Sequence, residues 1–311
     1  MSFDDAASTL VDRFVMLRAN TRTADNAGMR AIGKFLVLTF VTTWALWVWV
    51  MLRNAPQGSL NGPPALALGG PVFLLGVFAP GLVAVALTAW DNGRAAVAAL
   101  LGRIVHWRVD LRFYAFALLL MPAIKLTVAA LYRVAVGTWP VFGETRPGVL
   151  VAATILSTIG QAGEELGWRG YLLPHLTERV GLALASLVVG LVWAVWHLPL
   201  FFALGAETYH QSFPFYLLQI IAYSVVLAWL YWQTGGSLLL TMFMHSAFNN
   251  MKDIVPSAGV PAGSSFTLHA TFVLRFTVLL LWVVGIVLLT RMRGVARLSS
   301  GPNKLSFRAA A

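Results

Sequence analysis

The chain has 311 residues, of which 59% are hydrophobic and only 11% charged, with 22 Lys and Arg against 12 Asp and Glu. Soluble domains are roughly 45–50% apolar and about 25% charged, so this composition excludes a water-soluble globule; it equally excludes a disordered chain, which needs the opposite balance. There is no cysteine, which rules out disulfides, thiolate zinc sites and a cysteine nucleophile.

In chain order, residues 1–34 form a polar segment without the apolar core and cleavage site of a signal peptide. Within it, Leu10, Phe14 and Leu17 make a weak helical pattern suited to a membrane surface. Apolar runs follow at 35–52, 71–90, 113–136, about 149–164, 182–204, 213–232, 237–251 and 272–290. Each reaches or approaches the length needed to cross a hydrocarbon core of about 30 Å. Period-two alternation is absent, so the runs read as helices and not as barrel strands. The expectation is an all-α polytopic transmembrane bundle of about eight spans: an N-terminal segment at 1–34, one membrane domain at 35–290 and a basic tail at 291–311. The Gly/Pro-rich stretch 61–70 reads as an outer loop. Trp44, Trp47, Trp49, Trp90, Trp107 and Trp139 fall near span ends, where interfacial anchors sit.

An even number of spans puts both termini on one side. That side carries sixteen bases, including Arg13, Arg30, Arg94, Arg108, Arg179 and Arg297. The other side carries Arg53, Arg133, Arg146 and Lys252. Bases gather on cytoplasmic loops, so both termini are expected in the cytoplasm. The net charge of +10 is explained by these loops; no soluble basic module is present to bind nucleic acid.

Ionisable groups inside spans are costly and mark function by default. Here they are Lys125, Glu164, Glu165, Arg169, His197 and His245, with Asn249 beside them; Arg275 is expected near the surface. Adjacent Glu164 and Glu165 point about 100° apart on a helix. Glu165 and Arg169 are spaced i,i+4 and can pair. That leaves Glu164 with no local partner and facing another helix, a placement suited to a general base. His197 closes the Trp193–His197 stretch, and His245 and Asn249 share one helix face. Each feature alone also reads as helix packing; together they suggest a hydrolytic site. Glu164 with His197 would activate water, and His245 with Asn249 would stabilise the oxyanion. Depths counted from the expected cytoplasmic helix ends, about 15 Å for Glu164 and about 12 Å for His245, place this site towards the cytoplasmic side; His197, at about 22 Å, sits somewhat further out. A metal version is equally open: Glu164, His197 and His245 would supply three ligands to a divalent ion such as zinc, leaving a position for water.

Glu164-Glu165-x-x-x-Arg169, the aromatic-x-x-x-His of Trp193 to His197, and His245-x-x-x-Asn249 resemble the three motifs of the CPBP intramembrane proteases, the family of type II CAAX prenyl endopeptidases and bacteriocin-immunity-type membrane proteins. The string from Glu164 to Pro174 is especially similar, and Trp107-Arg108-Val109 ahead of the third span also fits. Trp193 stands where the pattern usually has Phe. The resemblance implies an eight-helix endopeptidase that cuts membrane-associated or lipid-modified proteins or peptides near the cytoplasmic side. It carries over Glu164, His197, His245 and Asn249 as catalytic, with Glu165, Arg169 and Trp193 in support. The expected setting is the lipid bilayer of a bacterial inner membrane, in contact with a membrane-tethered substrate. The competing readings are a non-catalytic scaffold or immunity-type protein, and a proton-coupled transporter using the Glu, His and Lys125 groups. The transporter lacks the paired halves such proteins show.

Overall fold

The computed structural model describes residues 3–53, 70–203, 206–209, 211–257 and 264–293, with side chains from 28 onward except 264–268. The surface pattern expected at 8–17, the loop at 61–70 but for its last residue, and most of the basic tail therefore lie outside the described side chains or residues. Among the described residues every regular element is helical: α1 (Phe3–Arg53), α2 (Pro71–Gly102), α3 (Leu111–Val136), α4 (Pro147–Ser157), α5 (Ala162–Gly167), α6 (Leu173–Trp196), α7 (Phe213–Gln233), α8 (Leu238–Met251) and α9 (Ser264–Met292). Local signals explain several boundaries. The Asp110 side chain accepts the Arg112 amide at the start of α3, and Gly137 ends that helix at φ 85°, where a side chain would be strained. Ser237 caps α8 through the Leu240 amide.

Six stretches are long and apolar enough to cross a membrane by length and composition. One of them, Pro147–Phe202, is 56 residues long and covers what the sequence read as two spans, with a break at Gly181 (φ 78°). The seventh expected span, α8, has only 14 residues. At 1.5 Å per residue it reaches about 21 Å, short of a full crossing. Leu38, Val41, Leu82, Leu126, Leu156, Leu191 and Val283 stay exposed on the outside of the bundle. Lipid-facing helices require such a surface, because the bilayer core solvates apolar side chains.

Small residues and hydroxyls bring the inner helices together, as is usual where lipid offers no hydrophobic drive. A Cβ on Gly163 would stand 2.9 Å from the Phe78 Cα, and one on Gly167 would stand 2.7 Å from the Pro80 carbonyl carbon. This close approach seats α5 against α2. Ser246 of α8 donates to the Thr154 carbonyl of α4 (2.7 Å), and Asn250 donates to Ser157 Oγ (3.1 Å). Ser224 of α7 donates to the Ser186 carbonyl of α6 (2.9 Å).

Cross-links at the helix ends define two faces. On one, Phe35 stacks on Tyr171, Arg103 bonds Tyr231, and Ser237 donates to the His106 carbonyl. On the other, Trp44 donates to the Trp196 carbonyl, Trp47 to the Phe73 carbonyl, and the Gly143 amide to the Ile254 carbonyl, while Tyr132 packs on Phe272. The first holds the early part of α1 and the end of α9 and is the terminal face. The second gathers the C-terminal ends of α1, α3, α6 and α8 and is the opposite face. Trp47 departs from its expected role as an anchor: it is 1% exposed and packs 4.7 Å from Trp196. Trp49, Trp90, Trp107 and Trp139 are exposed, as anchors need to be.

Candidate active site

The glutamate pair sits where the helix changes its winding. A 3-10 turn at Thr158–Gln161 precedes α5, and a π-helical turn at Trp168–Leu172 follows it. Such π turns recur at functional sites because they rotate side chains out of the regular register. Within this stretch the two carboxylates diverge as expected. Glu165 is fully buried; its Oε1 accepts from Arg169 Nη1 and lies 2.9 Å from His245 Nδ1. The i,i+4 pair is therefore present, and it also holds one of the histidines.

Glu164 has a partner that the sequence reading missed. Its Oε2 accepts a 2.6 Å hydrogen bond from the Trp193 indole N–H. Trp193 is the hub of the site. The Arg169 guanidinium lies 4.4 Å from its ring centre, and the His245 ring meets it edge-on at 5.1 Å. One aromatic side chain thus fixes the carboxylate of one motif, the base of the same motif and the imidazole of another.

The ring bonds dictate tautomers. His197 Nδ1 lies 2.9 Å from the Trp193 carbonyl, which can only accept. Nδ1 must carry the proton, so the neutral ring presents a lone pair at Nε2. His245 faces an ionised Glu165 in the same way, so its Nε2 donates only when the ring carries both protons. Asn249 is exposed to the cavity and its amide makes no hydrogen bond among the described residues; its neighbour Asn250 is instead held by Ser157 and Ser246.

Glu164, His197, His245 and Asn249 all line one cavity of about 530 Å³. Trp193, Tyr216, Tyr223 and Lys125 complete its inner wall. The Trp193 side chain joins the three: its N–H binds Glu164, and its ring lies 6.0 Å from the His197 ring and 5.1 Å from the His245 ring, centre to centre. Sequence inspection missed Tyr216 and Tyr223: their rings lie 5.5 Å from His197 and 6.4 Å from His245, but a tyrosine in an apolar helix carries no spacing signal. Lys125 neither reaches a carboxylate nor extends to a surface; it is 2% exposed and donates to the Val255 carbonyl at 3.0 Å. Arg275 is exposed and lies over Phe215, near the surface as expected.

The cavity extends to Phe73, Glu207, Gln211, Lys252 and Ser257, all at the opposite face. Burial works against the Lys252 ammonium, but Glu207 and Asp253 beside it outweigh that cost and hold it above its ordinary range. No lining residue comes from the terminal face. A site near the side that carries the termini, as the depth count suggested, is therefore not what the fold provides. The count missed the outcome because it measured from the wrong helix ends: His197 and Asn249 lie at the C-terminal ends of α6 and α8.

The residues do not form a ready ligand set for zinc. Among the described residues no three His, Asp or Glu side chains converge at ligand spacing, and Glu164 Oε2 is engaged by Trp193.

The family model of type II CAAX prenyl endopeptidase Rce1-like proteins matches residues 146–251, the stretch from the start of α4 to the end of α8. CAAX prenyl protease 2 of Methanococcus maripaludis is 25% identical over 232 residues, covering 71% of this chain and 83% of that protein. Both matches bear out the CPBP resemblance of the three motifs.

Proposed function

We propose that this CPBP-type chain is an intramembrane endopeptidase that hydrolyses a peptide bond of a membrane-associated polypeptide, with water activated by Glu164. The observation that carries the reading is the meeting of all three motifs on one cavity large enough for an extended peptide segment. The ionised Glu164 accepts a proton from a cavity water, and the hydroxide oxygen bonds to the carbonyl carbon. Asn249 donates its amide N–H to the oxyanion, and His245 does so in its doubly protonated form. His197, with its Nε2 lone pair, shares the proton with Glu164 and passes it to the amide nitrogen. The C–N bond then breaks, leaving a carboxylate on one product and an amine on the other. Glu165 and Arg169 neutralise each other and hold His245 and Trp193 in place.

No step here is routed through a metal. Treatment of the active protein with a chelator is expected to leave the rate unchanged. Loss of activity with recovery on adding zinc would instead indicate a ligand set that Glu164, His197 and His245 take up only around an ion.

The reading is tested with purified protein in liposomes, a membrane-tethered peptide and water enriched in heavy oxygen. Cleavage should place one heavy oxygen in the new carboxyl terminus, and His197→Ala and Asn249→Ala should each slow it by about 10²–10³-fold. Unchanged rates in both variants would place the catalytic groups elsewhere, and no cleavage by the wild-type protein would favour a scaffold in which the motifs only pack helices.

A further inference from the structure

Building on the hydrolase reading, we infer that Lys125 is the carboxylate-binding residue of the cavity. Its ammonium receives a substrate carboxylate close to the scissile bond, either the peptide's own carboxyl terminus or an Asp or Glu side chain, and so selects where the peptide is cut. Hydrolysis by Glu164, His197, His245 and Asn249 gives Lys125 no task, yet it lines the same cavity. It stands near the middle of α3 and is 2% exposed. A cation in an apolar interior is costly, and a lysine kept there without a counter-ion marks function.

The ammonium has three N–H donors. One goes to the Val255 carbonyl at 3.0 Å, a neutral acceptor, and no carboxylate pairs with it among the described residues. Each acid on the cavity wall is already engaged: Glu164 by the Trp193 indole, and Glu207 and Asp253 by Lys252. Lys252 is thus committed to the protein's own acids, whereas Lys125 keeps two donors for an incoming anion. Carboxylates are the anions that an unmodified polypeptide carries. Val255 also sets the register. Asn249, the oxyanion donor of the proposed reaction, is joined to it by the end of α8 and the 3-10 turn Lys252–Ile254. At about 1.5–2.0 Å per residue this stretch rises by no more than roughly 12 Å. An extended peptide advances about 3.3 Å per residue, so a carboxylate at Lys125 lies within about four residues of the cut.

The membrane-tethered peptide is made in matched forms, with a free carboxyl terminus or a carboxamide, and with Asp or Asn near that terminus. Cleavage by the full chain in liposomes is followed for each. In the wild type, removing the carboxylate that Lys125 binds should lower kcat/KM by about 10–100-fold, and which of the two changes has this effect identifies its source. In Lys125→Met, which keeps the length of the side chain and removes the charge, the ratio between the forms should fall to near one. The inference is overturned if the wild type cuts all forms alike, or if the preference survives in Lys125→Met. A second measurement needs no variant. The chain has only four lysines, Lys34, Lys125, Lys252 and Lys304. A carbodiimide joins a bound peptide's carboxylate to a neighbouring amine as an amide, releasing a urea, and mass spectrometry then reports which lysine it meets. The adduct is expected on Lys125 and absent with the form that has neither carboxylate; an adduct on Lys252 alone, or none, overturns the inference. Cutting without any carboxylate preference leaves the hydrolase reading intact, whereas an adduct on Lys125 with peptides that are never cut keeps the subsite and removes the hydrolase reading.

Discussion

At the residue scale, Trp193 carries more of the site than its place in a motif suggests. Its indole N–H binds Glu164, its face receives Arg169 and its edge meets His245. Trp193→Phe keeps an aromatic ring but removes the donor to a carboxylate, an interaction worth about 1.5–3 kcal/mol. The expected outcome is a drop in kcat of about 10–100-fold with KM little changed, read by steady-state cleavage. Glu165→Gln breaks a pair with no solvent access, leaving the Arg169 charge buried. Such losses cost about 3–5 kcal/mol, so thermal unfolding in detergent should fall well below wild type whether or not activity survives. The sequence made the Glu165–Arg169 pair legible because i,i+4 spacing is a local rule. It could not show that Glu164 meets Trp193 or that Glu165 meets His245, since those contacts join residues 29 and 80 positions apart.

At the element scale, the glycines of α5 decide where the glutamates stand. Gly163→Ala and Gly167→Ala would push a methyl into the backbone of α2, which cannot yield as a flexible side chain can. Overpacking of this kind costs about 1–3 kcal/mol. Both variants are expected to lose stability and to lower cleavage by moving Glu164. Gly160→Ala, whose methyl would meet nothing, is the control and should behave as wild type in both assays. Hydropathy made the apolar runs plain, and most of their boundaries match. It did not reveal that the fourth and fifth runs form one helical stretch with 3-10 and π turns around the glutamates, because local winding is set by packing against α2 and not by composition. Nor did it separate a full span from the short α8, which is apolar throughout but held at 14 residues between Ser237 and the turn at Lys252.

At the scale of the whole molecule, two sequence expectations pull apart. Cytoplasmic termini and a site near the cytoplasmic surface cannot both hold in a bundle whose cavity opens at the face away from the termini. The charge asymmetry was legible because every base can be counted. The direction of the cavity was not, since it depends on which helix ends leave a gap, and that follows from three-dimensional packing. The account as a whole stands on a single carboxylate that takes a proton from water inside this cavity. Glu164→Gln preserves shape and can still accept the Trp193 hydrogen bond, yet cannot act as base. The most direct measurement is turnover of a membrane-tethered peptide by purified Glu164→Gln, beside a thermal unfolding curve of the same sample. A fall of about 10³-fold or more with unchanged unfolding is the expected result; turnover at the wild-type rate would contradict the account.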